Sequence, residues 1–581
     1  MKFKLTALLT LMVFFSLLLV SCEPVETEPD DPTATPSPEG VFTPTPEDDE
    51  TEPTPEIEFT PTPDATPTPM EEEEDPEMPE TGLEDVPAEV SQYEDEWPMA
   101  NKDYSNTRAT FDSEISSENV DQLEIAWSYP ITGIGPYGGA AGNTLIANNI
   151  VYFQDLQSNI VALDLESGEV IWEHEVTQAV VGPNGPAIGY GKLFAQVGVH
   201  RLRAIDLETG EELWTVLLQG PSGAHQPYVY SGYILTGIQA GAVDIEVPGH
   251  VNAARGYSGG TTGFAYAIDQ ETSELVWSFQ TVEEDFWGNP DVNSGGGIWY
   301  PPAIDPERGL TFWSTGNPAP FPGTIDYPNA SSRPGDNLYT NTMLALDLHT
   351  GELVWYNQVL PHDLFDLDFQ ISPILATAEI DGQERDIVLG SGKLGRVFAF
   401  DRDSGEILWD TPVGIHQNDE LDEVPLGEEV LVYPGVWGGV ETPMSYAEGL
   451  VYVPVVNLPT PYTATGHDAA DGVEAVANAS GRTELPEGTG EFVAIDVGTG
   501  EIVWSMDLDV PPFGGATVVN DLVFFTTFDG MIYALDREDG SEVWSFQAPN
   551  GIIAWPSVAG DTIVFAAGVG EEPQVFALRL P

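Results

Sequence analysis

At 581 residues the chain is longer than one ordinary domain, although a β-propeller reaches this size as a single domain. It carries 96 Asp and Glu against 17 Lys and Arg, a formal net charge of -79, and both its N-terminal part and the remainder are acid-rich. That balance argues against nucleic acid as a partner and against direct docking on anionic lipid, and the absence of a Cys-x-x-Cys-His sequence excludes a covalently attached c-type haem.

The chain opens on Met1-Lys-Phe-Lys4 and an apolar run to Val20, which reads as a signal peptide too short to span a membrane. It ends Leu19-Val20-Ser21-Cys22, which looks like a bacterial lipobox, and Cys22 is the sole cysteine of the protein. Acylation of Cys22 is therefore expected, with the protein exported and lipid-anchored in a bacterial cell envelope. From Glu23 to about Val90 the sequence is Pro, Thr and acid without a Lys or Arg, as in Phe42-Thr-Pro-Thr-Pro-Glu-Asp-Asp-Glu and Glu71-Glu-Glu-Glu-Asp75. Such a segment buries too little apolar area to offset its ordering entropy, and an extended tether is expected. The expected organisation is a signal peptide over 1–21, a lipidated cysteine and disordered tether over 22–92, and a propeller over 93–581.

Past the tether, one phrase recurs. Ala345-Leu-Asp347-Leu-His-Thr350-Gly351-Glu-Leu-Val-Trp355 is a clear copy, and others run Ala162–Trp172, Ala204–Trp214, Ala267–Trp277, Ala399–Trp409, Ala494–Trp504 and Ala534–Trp544. In every copy the Asp lies eight residues before the Trp, and a Gly follows the Asp by four, except at Ser273. The apolar alternation before the Asp predicts a half-buried strand, and the run into the Trp predicts its partner. The Asp suits the turn's backbone amides and the Gly its positive φ, while the Trp supplies a large surface to wedge between units. A lone hairpin cannot bury that face, but an array can. Trp127 is an eighth such residue without the preceding turn, and Val575-Phe-Ala-Leu-Arg-Leu580 is a final strand without a partner in sequence. Joining these two ends closes one blade, so the expected fold is all-β, an eight-bladed propeller. The phrase resembles the tryptophan-docking repeat of quinoprotein dehydrogenases from about Trp97 to Pro581, and non-catalytic propellers share it.

The Trp spacing is uneven. Trp127 to Trp172, Trp172 to Trp214 and Trp504 to Trp544 are each about one bare blade of roughly forty residues. Trp214 to Trp277, Trp277 to Trp355 and Trp409 to Trp504 are longer, and the excess is expected in the Gly- and Pro-rich stretches Gly237–Gly263, Phe286–Gly297, Phe321–Asn337 and Thr460–Thr489. Within and after the fourth blade stand Gly295-Gly-Gly-Ile-Trp299, Ser314-Thr-Gly316-Asn317-Pro-Ala-Pro320, Arg333-Pro-Gly-Asp-Asn337, Pro361-His-Asp363-Leu-Phe-Asp366-Leu-Asp368 and Gly392-Lys393. In this order they resemble the pyrroloquinoline quinone (PQQ)-dependent alcohol dehydrogenases. The resemblance implies Asn317 and Asp366 as metal ligands, Asp366 as the catalytic base, Lys393 as partner of the quinone oxygen, and Trp299 as the floor on which the flat cofactor stacks. It also implies PQQ with calcium or a lanthanide ion, a small alcohol or sugar substrate, and a separate electron acceptor, a cytochrome or quinone-linked protein. A hard ion with oxygen ligands polarises the quinone, and a carboxylate takes the alcohol proton as hydride leaves. In the family a second Asp at the position of Asp368 accompanies lanthanide, and Asp368 reads either as that ligand or as a solvated acid.

The sequence also departs from the family. The early adjacent cysteines are absent from Gln178-Ala-Val-Val-Gly-Pro-Asn-Gly185, as is the nearby Arg that partners a PQQ carboxylate. The family's metal-binding Glu has no counterpart in Gly237-Ile-Gln-Ala-Gly-Ala242, with Asp244 or Glu246 as substitutes; its later Asn falls around Glu441, and its second stacking aromatic at Phe513. Asn317 also suits a turn, Asp363 or Asp366 a loop cap, and His362 a hydrogen-bonding loop position. Three readings follow: a lipid-anchored PQQ-dependent dehydrogenase, a non-catalytic scaffold like the lipoprotein propeller of outer-membrane assembly, and an envelope ligand-binding propeller.

Overall fold

The computed structural model describes residues 85–581 apart from 199–200, 219–224, 240–261, 324–326, 328, 426–427, 467–472 and 477–487. Cys22, the tether up to residue 84, Asp244 and Glu246 lie outside the described residues. Eight sheets each carry the four antiparallel strands of one blade. The first blade is Leu145–Ala147, Ile150–Gln154, Ile160–Asp164 and Val170–His174; the fourth, Ala303–Asp305, Leu310–Ser314, Thr342–Asp347 and Leu353–Gln358. The eighth is closed as the two unpartnered sequence strands require: Glu124–Pro130 lies antiparallel to Gln574–Arg579, with Trp127 opposite Ala577. The long inter-Trp intervals hold two further small sheets, Ser294–Gly295 with Pro318–Ala319, and Glu429–Val432 with Thr460–Gly466 and Val473–Val476.

The repeated phrase acts between blades. Asp347 Oδ1 accepts from Thr350 N at 2.8 Å and from the Thr350 hydroxyl at 2.9 Å, and Gly351 closes the turn with φ at +70°. The open face of that glycine receives the Trp277 ring of the preceding blade, whose Nε1 donates to Leu348 O at 2.9 Å. Trp355 repeats this on Arg402 O at 3.0 Å, and Trp127 of the closing blade on Leu165 O at 2.8 Å. Each of these three indoles thus joins one blade's outer strand to the next blade's turn, coupling burial of a large ring to one satisfied N–H.

The entry segment is stitched into several blades. Arg108 is fully buried and donates to Ala516 O at 2.9 Å, Ala100 O at 2.9 Å, Thr517 Oγ1 at 2.7 Å and Pro556 O at 3.1 Å. Asn101 donates to Ser372 Oγ at 3.0 Å and Asn106 to Pro373 O at 2.8 Å. Ala109–Thr110 adds a parallel strand to the seventh blade. Packing begins earlier still: Val90 is buried, and Glu89 accepts from Tyr190 N at 3.0 Å. These residues lie on the tether side of the boundary expected at Tyr93.

Candidate active site

Three of the quoted motifs meet through one buried guanidinium. Arg333 donates to Asn337 Oδ1 at 2.6 Å, to Pro320 O at 3.0 Å and to Asp363 O at 2.5 Å. It therefore ties Gly-Asn-Pro-Ala-Pro, its own Arg-Pro-Gly-Asp-Asn and Pro-His-Asp together, and burial lowers its pKa to about 10. Asp363 then shapes the next turn by accepting from Phe365 N at 2.7 Å, Leu367 N at 2.8 Å and Asn341 Nδ2 at 3.1 Å. This is the loop-capping role, and it belongs to Asp363. Asp366 follows with φ at +65°, a left-handed conformation rare outside glycine. His362 is half-buried and its Nδ1 lies 3.1 Å from Gly335 O, a loop contact.

The capped turn delivers both acids to one ammonium. Lys393 Nζ stands 3.0 Å from Asp366 Oδ2 and 2.6 Å from Asp368 Oδ2. Asp368 is only 1% exposed, so its reading as a solvated acid does not hold. Its other oxygen accepts from Asn317 N at 2.5 Å, bringing the fourth-blade motif into the same cluster. Gly316 has to be glycine here: a Cβ would collide with Asp368 Oδ1 and crowd Trp299 Nε1, so the half-buried indole of Trp299 borders the same spot. On the far side, Val440 N donates to Gly392 O at 3.0 Å, and Gly439 packs directly on the Lys393 backbone.

Electrostatics follow from this crowding. Burial raises the Asp366 pKa well above the carboxylate range, Lys393 opposes the rise and Asp368 adds to it. Burial works against the Lys393 charge, but Asp366, then Asp368 and Glu441, outweigh it and hold the ammonium protonated. Glu441 is the residue whose role sequence reading missed. Burial pushes its carboxyl up to about 8 against the pull of Lys393. Its Oε2 accepts from Gln370 Nε2 at 3.5 Å, while its Oε1 is buried without a partner. Gln370 in turn accepts from Lys393 N at 3.3 Å. The only sequence signal for Glu441 was an acid standing where the family has an amide. Phe513 is buried among Val456, Leu458, Phe528 and Ile553, none of which belongs to the Lys393 cluster.

The oxygen donors of Asp366, Asp368 and Asn317 suit a hard calcium or lanthanide ion, and Lys393 suits a quinone oxygen. Among the described residues no three His, Cys, Asp or Glu form a ready cage, so an ion has to draw on the amide and on ligands beyond the carboxylates. The carboxylate edge of a planar tricarboxylate is less well served. Arg108 and Arg333 are fully buried, with their described bonds on backbone and neutral side-chain oxygens, and no described arginine pairs with the Lys393 cluster.

Residues 244–413, which contain this cluster up to Lys393, match the family model described as glucose/ethanol/alcohol dehydrogenase, beta-propeller domain. Residues 112–245 and 464–578 match the model described as outer membrane protein assembly factor BamB. The lanthanide-dependent methanol dehydrogenase of Methylorubrum extorquens is 28% identical over 516 residues, covering 78% of this chain and 82% of the relative. Quinohemoprotein alcohol dehydrogenase ADH-IIG of Pseudomonas putida is 28% identical over 548 residues, covering 83% and 73%. Among solved structures, a europium-containing methanol dehydrogenase superposes with a TM-score of 0.70 at 22% identity, over 85% of this chain and 100% of that one. Quinohemoprotein alcohol dehydrogenase from Comamonas testosteroni gives 0.69 at 24% identity, over 84% and 80%. By its repeat and its closure the chain is an eight-bladed β-propeller, and these matches make it similar to the quinoprotein alcohol dehydrogenases.

Proposed function

We propose that the protein is an oxidoreductase acting on CH–OH donors, a PQQ-dependent dehydrogenase of alcohols or sugars anchored in a bacterial cell envelope through Cys22. The observation that carries this reading is the convergence of Asp366 and Asp368 on the Lys393 ammonium, with the Asn317 backbone N–H held by Asp368 and Trp299 bordering the same spot at Gly316. PQQ bound with calcium or a lanthanide ion supplies the two-electron acceptor. Asp366 takes the substrate hydroxyl proton, a role its raised proton affinity supports. Lys393 pairs with the quinone oxygen, Asn317, Asp366 and Asp368 ligate the ion, and Trp299 offers a stacking face. Electrons then pass to a separate cytochrome or quinone-linked protein. The acidic Pro/Thr segment over 22–92 serves as a tether between the anchor and the propeller.

The test is reconstitution of the full chain with PQQ, separately with calcium and with a light lanthanide, read by absorbance and by dye-linked oxidation of alcohols and aldoses. Stoichiometric binding and turnover that vanishes in Asp366→Asn is the expected result, and the preferred ion reports what Asp368 does. A scaffold role is the second reading, favoured by the assembly-factor match over 112–245 and 464–578. It predicts no PQQ binding with either ion.

A further inference from the structure

Two large aromatic side chains stand exposed on loops that reach the Lys393 cluster. Tyr137 is 41% exposed and Trp437 37%, and their rings meet edge to face at 5.5 Å with an interplanar angle of 65°. They come from loops far apart in sequence, one ahead of the first blade and one ahead of the sixth. Each is followed by two glycines, Gly138-Gly139 and Gly438-Gly439.

Both loops are anchored by their backbones. Gly139 N donates to Gly568 O at 2.8 Å and its carbonyl accepts from Leu156 N at 3.1 Å. Gly439 N donates to Val456 O at 2.9 Å, and a Cβ at Gly439 would collide with the Lys393 carbonyl. Trp437 is thus two residues from a direct backbone contact with Lys393. Tyr137 lies within the field of the Lys393 ammonium, which opposes the rise that burial gives its phenol. Lys393 and Asp366 themselves keep side-chain exposures of 11% and 15%. Two fixed rings beside these partly open polar groups leave apolar surface in water that a ligand reaching Lys393 and Asp366 can cover.

We propose that Tyr137 and Trp437 form an aromatic lip that binds the non-reacting part of the substrate, making alcohols with a bulky apolar substituent the preferred class over the smallest alcohols. This rests on the dehydrogenase reading above. Charged neighbours at the reacting end and rings at the outer end divide the ligand between a hydroxyl and an apolar group. Aromatic faces contribute little to a one-carbon alcohol, which presents almost no area to cover.

The experiment compares kcat/KM for benzyl alcohol with that for methanol on the full chain loaded with PQQ and its preferred ion. Trp437→Ala and Tyr137→Ala are expected to lower this ratio by on the order of 10- to 100-fold, and Trp437→Phe to recover most of it. A ratio unchanged in both alanine variants overturns the lip. A second measurement, saturation-transfer NMR of benzyl alcohol on the cofactor-free full chain, separates the two proposals. Transfer lost in Trp437→Ala, with Trp437→Phe retaining it, supports the lip even where no alcohol is oxidised, and then the dehydrogenase reading fails alone. Equal transfer to the wild type and Trp437→Ala overturns the lip whatever the turnover.

Discussion

Lys393 Nζ lies 2.6 Å from Asp368 Oδ2, with 11% and 1% of the two side chains exposed. This contact gathers the candidate site, because the other oxygen of Asp368 holds Asn317 N and the same ammonium holds Asp366. One cation faces two carboxylates, with the Glu441 carboxyl adding to its proton affinity. A cluster so rich in acid is primed to take further positive charge, which a bound hard cation would supply.

Removal of the ammonium exposes that imbalance. Lys393→Met leaves Asp368 buried without its charge partner, and the expected loss of stability is about 3–5 kcal/mol, the range found when one member of a buried pair is deleted. Adding Asp368→Asn to the same chain removes the orphaned charge and recovers part of the loss. Urea denaturation of the two variants checks this, and a double variant no more stable than the single one would contradict it.

Glu441 gives the protein a pH-dependent component of stability. Burial raises its folded pKa from 4.5 to about 8. A carboxyl raised in this way is protonated in the folded protein while the unfolded chain ionises, so its contribution is fully present below the unfolded pKa. It is lost as pH rises through the window between the two values, at up to about 1.4 kcal/mol per pH unit. Glu441→Gln, which mimics the neutral acid, is expected to flatten this fall and to be more stable than the wild type above the window. Denaturation midpoints of both proteins at about pH 5 and about pH 9 decide the matter, and parallel shifts would rule it out.

The fold was legible in the sequence because each blade writes the same local solution. The Asp of the turn, the left-handed Gly and the docking Trp sit at fixed offsets, and their hydrogen bonds are local or between neighbouring blades. Closure was legible too, since Trp127 and Val575–Leu580 were two half-hairpins without partners. The site was legible in part. Asn317, Asp366, Asp368 and Lys393 lie in the quoted motifs and do come together, but nothing in those motifs tells that Arg333 ties three of them together, through the Pro320 and Asp363 carbonyls and the Asn337 side chain. Glu441 and Tyr137 come from other blades, and only the closed ring brings them near Lys393. Phe513 shows the converse: its position matched the family, while its packing partners lie in another cluster.

Arg108 holds the entry segment by a geometry that only a guanidinium satisfies. Its Nε, Nη1 and Nη2 reach Ala516 O, Ala100 O, Thr517 Oγ1 and Pro556 O in one plane of donors, and the Trp97 ring lies 5.4 Å away. Arg108→Lys keeps the charge but cannot span these acceptors, so buried carbonyls lose their donors. The expected destabilisation is on the order of 3 kcal/mol, measured as a lowered urea midpoint at an unchanged m-value. A lysine variant as stable as the wild type would show that the clasp is not needed.

The third copy of the repeat tests the docking rule from the inside. Ser273 occupies the glycine position there, with φ at +60°, while in the other copies the glycine lies directly under the indole of the preceding blade. The consequence appears in Trp214, whose Nε1 is buried without a hydrogen-bond partner, and the carbonyl it would be expected to use, Gln270 O, receives Lys192 Nζ at 3.3 Å instead. In the glycine copies a Cβ at this position would meet the docking ring, so the serine Cβ accounts for an indole that does not settle into the turn. Ser273→Gly removes both the left-handed strain and the obstruction, and is expected to stabilise the propeller by about 1 kcal/mol. The reverse change in an ordinary copy, Gly351→Ser, places a Cβ against Trp277 and is expected to cost about 1–3 kcal/mol. Thermal unfolding of the two variants reads opposite shifts from one rule, and a melting temperature that falls in Ser273→Gly would mean that the serine is there for a contact of its own.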